Sequence, residues 1–249
     1  MGFILEEFDK PLYMEVEKEP IKVIIISCEG ENTEPEYFET IKTKLSDHIS
    51  VLLEITIVPR TNTGSDPQKI VCNLKDYIED KYDYKSENDE MWVVWDREKV
   101  PERKKQILDM IPECQEKNFH IAMANPLFEF WLLLHIVDIS SYDRQVLFDN
   151  DWVNSVRRYI DKELSNLLLP SGYNKKKGKF NKNIVTLENI QKALEQEKLF
   201  ENELEKIIDN LGSNIGDLIQ KILPLSPYQN REVVGDKCQC VGDNGGKGK

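Results

Sequence analysis

The sequence predicts an α/β fold, a parallel sheet flanked by helices with a helical extension at its C-terminal end. Three observations lead there. Short apolar runs rich in β-branched residues recur at KVIIISC (22–28), VLLEITIV (51–58), MWVVW (91–95) and FHIAM (119–123). Stretches with apolar residues at three- and four-residue spacing alternate with them. The links between are a few residues long, which suits strands buried on both faces and joined by helical, right-handed crossovers.

Taken in order, residues 1–20 are acidic and aperiodic and are expected to lie as an arm on the surface. The first strand, 22–28, stops at Cys28-Glu29-Gly30. Thr33 and Glu36 have capping-box spacing, Pro35 suits a first helical turn, and Phe38, Ile41 and Leu45 line one face. After the second strand, Ser65-Asp66-Pro67 starts a helix carrying Ile70, Leu74 and Ile78. The third strand ends at Asp96, a helix spans about 101–117, and Asn125-Pro126 caps the apolar helix LFEFWLLLHIV. The α/β core thus covers 21–137.

From 138 to 225 the pattern is helical only. Trp152, Val156, Tyr159, Ile160 and Leu164 mark one helix; Ile190, Leu194, Leu204 and Ile208 mark one or two more; Leu218 and Ile222 mark the last. A basic loop, SGYNKKKGKFNK (171–182), interrupts them, and the Gly-rich segment 226–249 is expected to be disordered.

Bulk properties narrow the function. With 249 residues and 40% apolar content the chain can bury a real core. No run is apolar and long enough to span a membrane, and the N-terminus lacks the pattern of a signal peptide. Five scattered cysteines form no disulfide framework, which fits a reducing cytoplasm, and Cys238-x-Cys240 lacks the further ligands of a metal site. A net charge of −12 opposes non-specific coating of nucleic acid but not a local basic surface. No GxxxxGKS, GxGxxG, HExxH or GxSxG motif is present.

Chemistry-bearing residues gather at the expected carboxyl ends of the strands, the edge where ligands bind in open α/β sheets. Glu29 follows the first strand, and Asp96-Arg97-Glu98 follows the third. Carboxylates at i and i+2 of extended chain project to one side, where they repel unless protonated or bridged by a cation such as Mg²⁺. The same spacing serves a solvated turn in which Arg97 and Lys99 pair with the acids. Glu129, the one acid in its apolar helix, needs a cation, a donor or a metal, and an ion pair with Arg97 or another base is the simpler solution. Of the two acids flanking Pro35, Glu34 is expected to look into the site and Glu36 to serve the helix cap, and His135 reads as a hydrogen-bonded core residue. Lys175, Lys176, Lys177 and Lys179, with Tyr173 and Phe180 among them, could bind phosphates and stack on a base, or form a solvated loop.

Three motifs in this order, CEGENTEPEYF (28–38), VVWDRE (93–98) and ANPLFEFWLLLH (124–135), resemble the RloB family, as does LLPSGYNKKK (168–177). The resemblance spans about 22–225. It implies a Toprim-like domain and an association with bacterial anti-phage defence and abortive infection. It also implies a Mg²⁺ (or Mn²⁺) site in which Asp96 and Glu98 hold the metal and Glu29 acts as general acid or base or helps to hold it. Glu98 departs from the commoner second Asp. The expected activity is a nuclease acting on DNA or RNA, tRNA included, with Glu129 contributing to the site and Lys175, Lys176, Lys177 and Lys179 engaging the backbone. An ABC-type or AAA-type ATPase is the implied partner. Alternatives are a non-catalytic regulatory subunit of such an ATPase, and nucleotidyl or phosphoryl transfer to a small molecule.

Overall fold

The computed structural model describes residues 22–60, 66–82 and 87–224. The surface arm, the Gly-rich tail with its Cys-x-Cys, and Ser65 lie outside the described residues. Among those described, strands β1 (Lys22–Cys28), β2 (Leu53–Ile57), β3 (Glu90–Asp96), β4 (Phe119–Asn125) and β5 (Gly212–Ser213) form one sheet in the order β2-β1-β3-β4-β5. The first four are mutually parallel and β5 is antiparallel to β4.

Side chains alternate across the sheet because a strand has a period of two. Ile24, Ile26 and Cys28 of β1, with Trp92 and Val94 of β3, enter one core; Val23 and Ile25, with Met91, Val93 and Trp95, enter the other. Helices α1 (Thr33–Lys44) and α4 (Phe128–Ile136) cover the first face, and α2 (Pro67–Lys81) and α3 (Pro101–Glu116) the second. The chain leaves β1 toward β2 on one side and returns to β3 on the other. The strand order therefore reverses between β1 and β3, where such a sheet opens a crevice at its carboxyl edge.

The remaining helices are α5 (Arg144–Asp149), α6 (Tyr159–Leu167), α7 (Leu187–Glu197), α8 (Leu204–Ile207) and α9 (Ile215–Ile222). Apolar residues of α5, α6, α7 and α9, among them Ile160, Leu164, Ile190, Ile215 and Ile219, belong to the same core as α1 and α4, whereas Ile207 of α8 enters the core of α2 and α3. This region is not purely helical, since it supplies β5 to the sheet edge.

Several local expectations give way to tertiary partners. Asn32, not Thr33, is the N-cap residue of α1, and no side chain caps that end. The Glu36 carboxylate instead accepts hydrogen bonds from Gly178 N (2.5 Å) and Phe180 N (3.2 Å) in the basic loop. Asn125 does not cap α4 either: its amide donates to Ile207 O at 2.6 Å. Trp152 and Val156 are exposed and precede α6 rather than lining it. Asp66 does cap α2, accepting from Gln68 N at 2.9 Å.

Candidate active site

The crevice at the β1/β3 switch point is a cleft of about 490 Å³. Six carboxylates line it, Glu31, Glu34, Asp96, Glu98, Glu129 and Asp161, against two cationic side chains, Arg158 and Lys175.

Asp96 is placed by three elements. As the last residue of β3 its main chain is fixed by the ladder to β4. Its amide donates to Glu29 Oε2 at 2.9 Å, and its own Oδ1 accepts from Phe128 N at 2.7 Å. A strand-borne carboxylate thus satisfies a free amide at the start of α4, where the helix dipole favours negative charge. Burial nevertheless pushes the Asp96 carboxyl well above its ordinary range, reinforced by the charges of Glu34, Glu29 and Glu129 and opposed by Lys175.

Glu98 turns back into the cleft because its backbone adopts a left-handed conformation, with φ at +42°. Hydrogen bonds from Arg97 N to Ala124 O (2.8 Å) and from Glu98 N to Pro126 O (2.9 Å) hold that turn. Such a conformation is uncommon for a residue with a Cβ and persists only where its surroundings dictate it. The neighbouring bases do not neutralise the pair: Arg97 Nε donates to Ile208 O at 2.7 Å, and Lys99 pairs with Asp149.

Glu29 is not among the lining residues. Its carboxylate is buried, receiving the Asp96 amide on one oxygen and the guanidinium of Arg103, from α3, at 2.6 Å on the other. Arg103 also lies 3.5 Å from Glu98. Burial pushes the Glu29 carboxyl up to about 7; Arg103 and the Asp96 amide pull it down, while Glu34 and Glu98 push with burial. The place facing the cleft after β1 belongs to Glu34. Its Oε1 accepts from Gly30 N at 3.1 Å, and a Cβ on Gly30 would stand 1.8 Å from Glu34 Oε2, so the carboxylate needs a glycine there. Burial and the charge of Glu129 raise Glu34 to about 7.

Glu129 has partners that its sequence neighbours do not reveal. Tyr173 donates to Glu129 Oε1 at 2.5 Å, and Lys175 Nζ lies 2.9 Å from the same oxygen and 3.0 Å from Asp161 Oδ1. Burial works against the Lys175 ammonium, but Glu129 and Asp161 outweigh it and raise its pKa. The ion pair expected for Glu129 is present, with Lys175 in place of Arg97.

The basic loop therefore divides. Lys175, though half exposed, directs its ammonium at Glu129 and Asp161, whereas the exposed Lys176, Lys177 and Lys179 have no ion-pair partner among the described residues. Tyr173 and Phe180 are buried and form no stacking surface; Phe180 meets the ring of Tyr37 edge-on at 6.3 Å. His135 is a core residue. Its Nδ1–H donates to Trp131 O at 2.9 Å, so Nε2 accepts from Tyr37 OH at 3.1 Å, and Trp131 Nε1–H donates to that hydroxyl at 3.0 Å.

The oxygen-rich donor set suits a hard divalent cation, and the repulsion recorded in the raised Asp96 and Glu34 is what such an ion would relieve. In this conformation no group of three or more His, Cys, Asp or Glu side chains among the described residues is gathered closely enough to hold one. Arg103, Asp161 and Trp152 were not singled out for this site by sequence, because each reaches it from an element whose position depends on packing; Tyr173 was expected to stack on a base and instead donates to Glu129.

No curated protein and no solved structure matches the chain. The family model described as RloB-like protein matches residues 24–222, from within β1 to the end of α9. That match covers most of the chain and takes in every residue lining the acidic cleft, and the chain belongs to the RloB-like protein family.

Proposed function

We propose that this protein is a Toprim-like, divalent-cation-dependent nuclease that cuts phosphodiesters of DNA or RNA as the effector of a bacterial anti-phage system, working with an ATPase partner. One observation carries the reading: Glu34, Asp96, Glu98 and Glu129, from three separate segments, meet in one cleft at the switch point of a parallel sheet. The defence role and the ATPase rest on the family resemblance alone.

Asp96, Glu34 and Glu98 are the residues that would hold Mg²⁺ or Mn²⁺, with Glu129 beside them. Bound there, the cation would polarise a phosphoryl oxygen and stabilise the charge that develops on it. The protein's own contribution is positional. Glu29 and the α4 N-terminus fix Asp96 from its amide and its carboxylate. Glu34, titrating near neutrality, is suited to accept or release a proton at its carboxyl oxygen. Lys175 neutralises Glu129 and Asp161 while the cleft is empty of substrate, and the exposed Lys176, Lys177 and Lys179 engage phosphates from the rim.

The test incubates the purified full chain with single- and double-stranded DNA and RNA, with Mg²⁺, with Mn²⁺, or with a chelator. Asp96→Asn and Glu34→Gln are run alongside, and Mn²⁺ binding is measured by calorimetry. Cation-dependent fragmentation that both variants lose supports the proposal. If the wild type binds no Mn²⁺ and leaves all four polymers intact, even with its ATPase partner present, the nuclease reading fails and a regulatory subunit takes its place.

A further inference from the structure

Residues 151–158 form a tight hairpin that leaves large apolar side chains exposed. Trp152 is 61% exposed and Val156 76%, while the other three tryptophans, Trp92, Trp95 and Trp131, are buried. The tip is nonetheless well ordered by hydrogen bonds. Val153 N donates to Arg157 O at 2.9 Å, Tyr159 N donates to Asp151 O at 2.9 Å, and Asn154 Oδ1 accepts from both Val156 N and Arg157 N at 2.9 Å. The guanidinium of Arg158 lies over the indole, 4.9 Å from the ring centroid, and fixes its orientation. Trp152, Val153 and Val156 are exposed together on one hairpin, and a clustered apolar patch rimmed by polar groups is what marks an interaction surface.

Its position says what covers it. Trp152 and Val156 line the acidic cleft, and Val156 also lines an adjoining cleft of about 470 Å³ that shares Asn32, Asp161 and Lys175 with it. That neighbour carries more cations than acids, with Arg157, Lys175 and Lys176 in its wall against Asp161. An exposed ring in the wall of a carboxylate cleft, with a cation-bearing groove adjoining that cleft, has the layout of a strand-binding track, in which bases stack on rings and phosphates follow the cations. A duplex offers no free base face to such a ring; an unpaired nucleotide does.

We infer that the Trp152 hairpin stacks an unpaired base, so that the substrate is single-stranded nucleic acid whose backbone runs along the Arg157/Lys176 groove and into the acidic cleft. The inference rests on the reading of that cleft as the cutting site. It is tested by equilibrium binding on uncut strands. The full chain is titrated in Ca²⁺ with an oligodeoxythymidine, an oligouridine and a mixed-sequence duplex, and strand integrity is checked on gels. Tryptophan emission and its quenching by acrylamide report on Trp152, the only exposed tryptophan.

Single strands should quench the emission and shield it from acrylamide. Trp152→Ala should weaken their binding by about 5- to 100-fold, the worth of one stacked base, and Trp152→Phe should recover all but a few-fold of it. Arg157→Gln with Lys176→Gln should weaken binding and flatten its salt dependence. Trp152→Ala binding single strands as wild type does, or a duplex shielding the indole as well as a single strand, overturns the inference. So does absence of binding to any strand. A chain that binds single strands through Trp152 but never cuts them leaves this inference standing and overturns the nuclease reading alone.

Discussion

Asp96 sits where the fold's requirement and the chemistry's requirement conflict. Its carboxylate supplies the α4 N-terminus with an acceptor, yet it shares the cleft with Glu34 and Glu129, whose charges oppose its own. Asn in its place keeps an acceptor for Phe128 N and removes the repulsion. Asp96→Asn should therefore unfold at equal or higher temperature than wild type in chelator, while cutting at least about 100-fold more slowly; parallel melting curves and cleavage rates check this. Glu29 behaves differently, because the Arg103 guanidinium offsets part of its burial cost. Arg103→Met leaves an unpaired buried carboxylate and should lose about 3–5 kcal/mol of stability at pH 8. The loss should shrink below pH 7, where Glu29 takes up a proton, and adding Glu29→Gln should restore most of it. Urea unfolding of the single and double variants at the two pH values decides the matter.

At the scale of elements, the loop 171–182 is held at both ends of its basic run. Asn32 Nδ2 donates to Lys175 O at 3.1 Å, and Glu36 accepts from Gly178 and Phe180. Replacing Glu36 by Ala removes two charge-assisted bonds and should cost about 1–3 kcal/mol, with faster hydrogen exchange at Gly178 and Phe180 than at Ile184. Lys176, Lys177 and Lys179 make no ion pair among the described residues. Their joint replacement by Gln should leave the melting temperature unchanged. It should reduce the slope of log affinity against log salt for nucleic acid by up to about three, one for each lysine.

For the molecule as a whole, two buried groups set stability against pH in opposite directions. His135 is neutral in the core and held down to about 4 by burial, so unfolding takes up a proton between roughly 6.5 and 4 and stability falls as pH drops through that window. Glu197, buried beside the start of α9, accepts from Gly216 N at 3.1 Å and is pushed up to about 8 by burial. Raised above its unfolded value of 4.5, it favours the folded state fully below that value and loses that contribution as pH rises toward 8. Glu197→Gln keeps an acceptor without the charge. Thermal melts from pH 5 to 9 should show its stability declining less than that of wild type above neutrality, by up to a few kcal/mol.

The strands and their faces were legible because their information is local. Ile24-Ile25-Ile26 and Val93-Val94 read as buried on both sides, and each parallel strand lies within two residues of where its apolar run begins or ends. Glu29, Asp96, Glu98 and Glu129 could be named because acids stand out at the ends of apolar runs. Which of them share a cleft could not, since that depends on β1 and β3 being neighbours and on Arg103 reaching Glu29 from α3. Capping-box spacing at Thr33 and Glu36 misled for the same reason: amides 142 and 144 residues away compete with the local ones and win. Trp152 fitted a helical stripe by spacing, but the Asn154 turn ends that periodicity before α6 begins. The sequence by itself determined an α/β sheet, its order of elements and the acids at its edge. Only the tertiary structure decided which acids are exposed to a ligand, because burial and pairing across the sheet are properties of the packed chain.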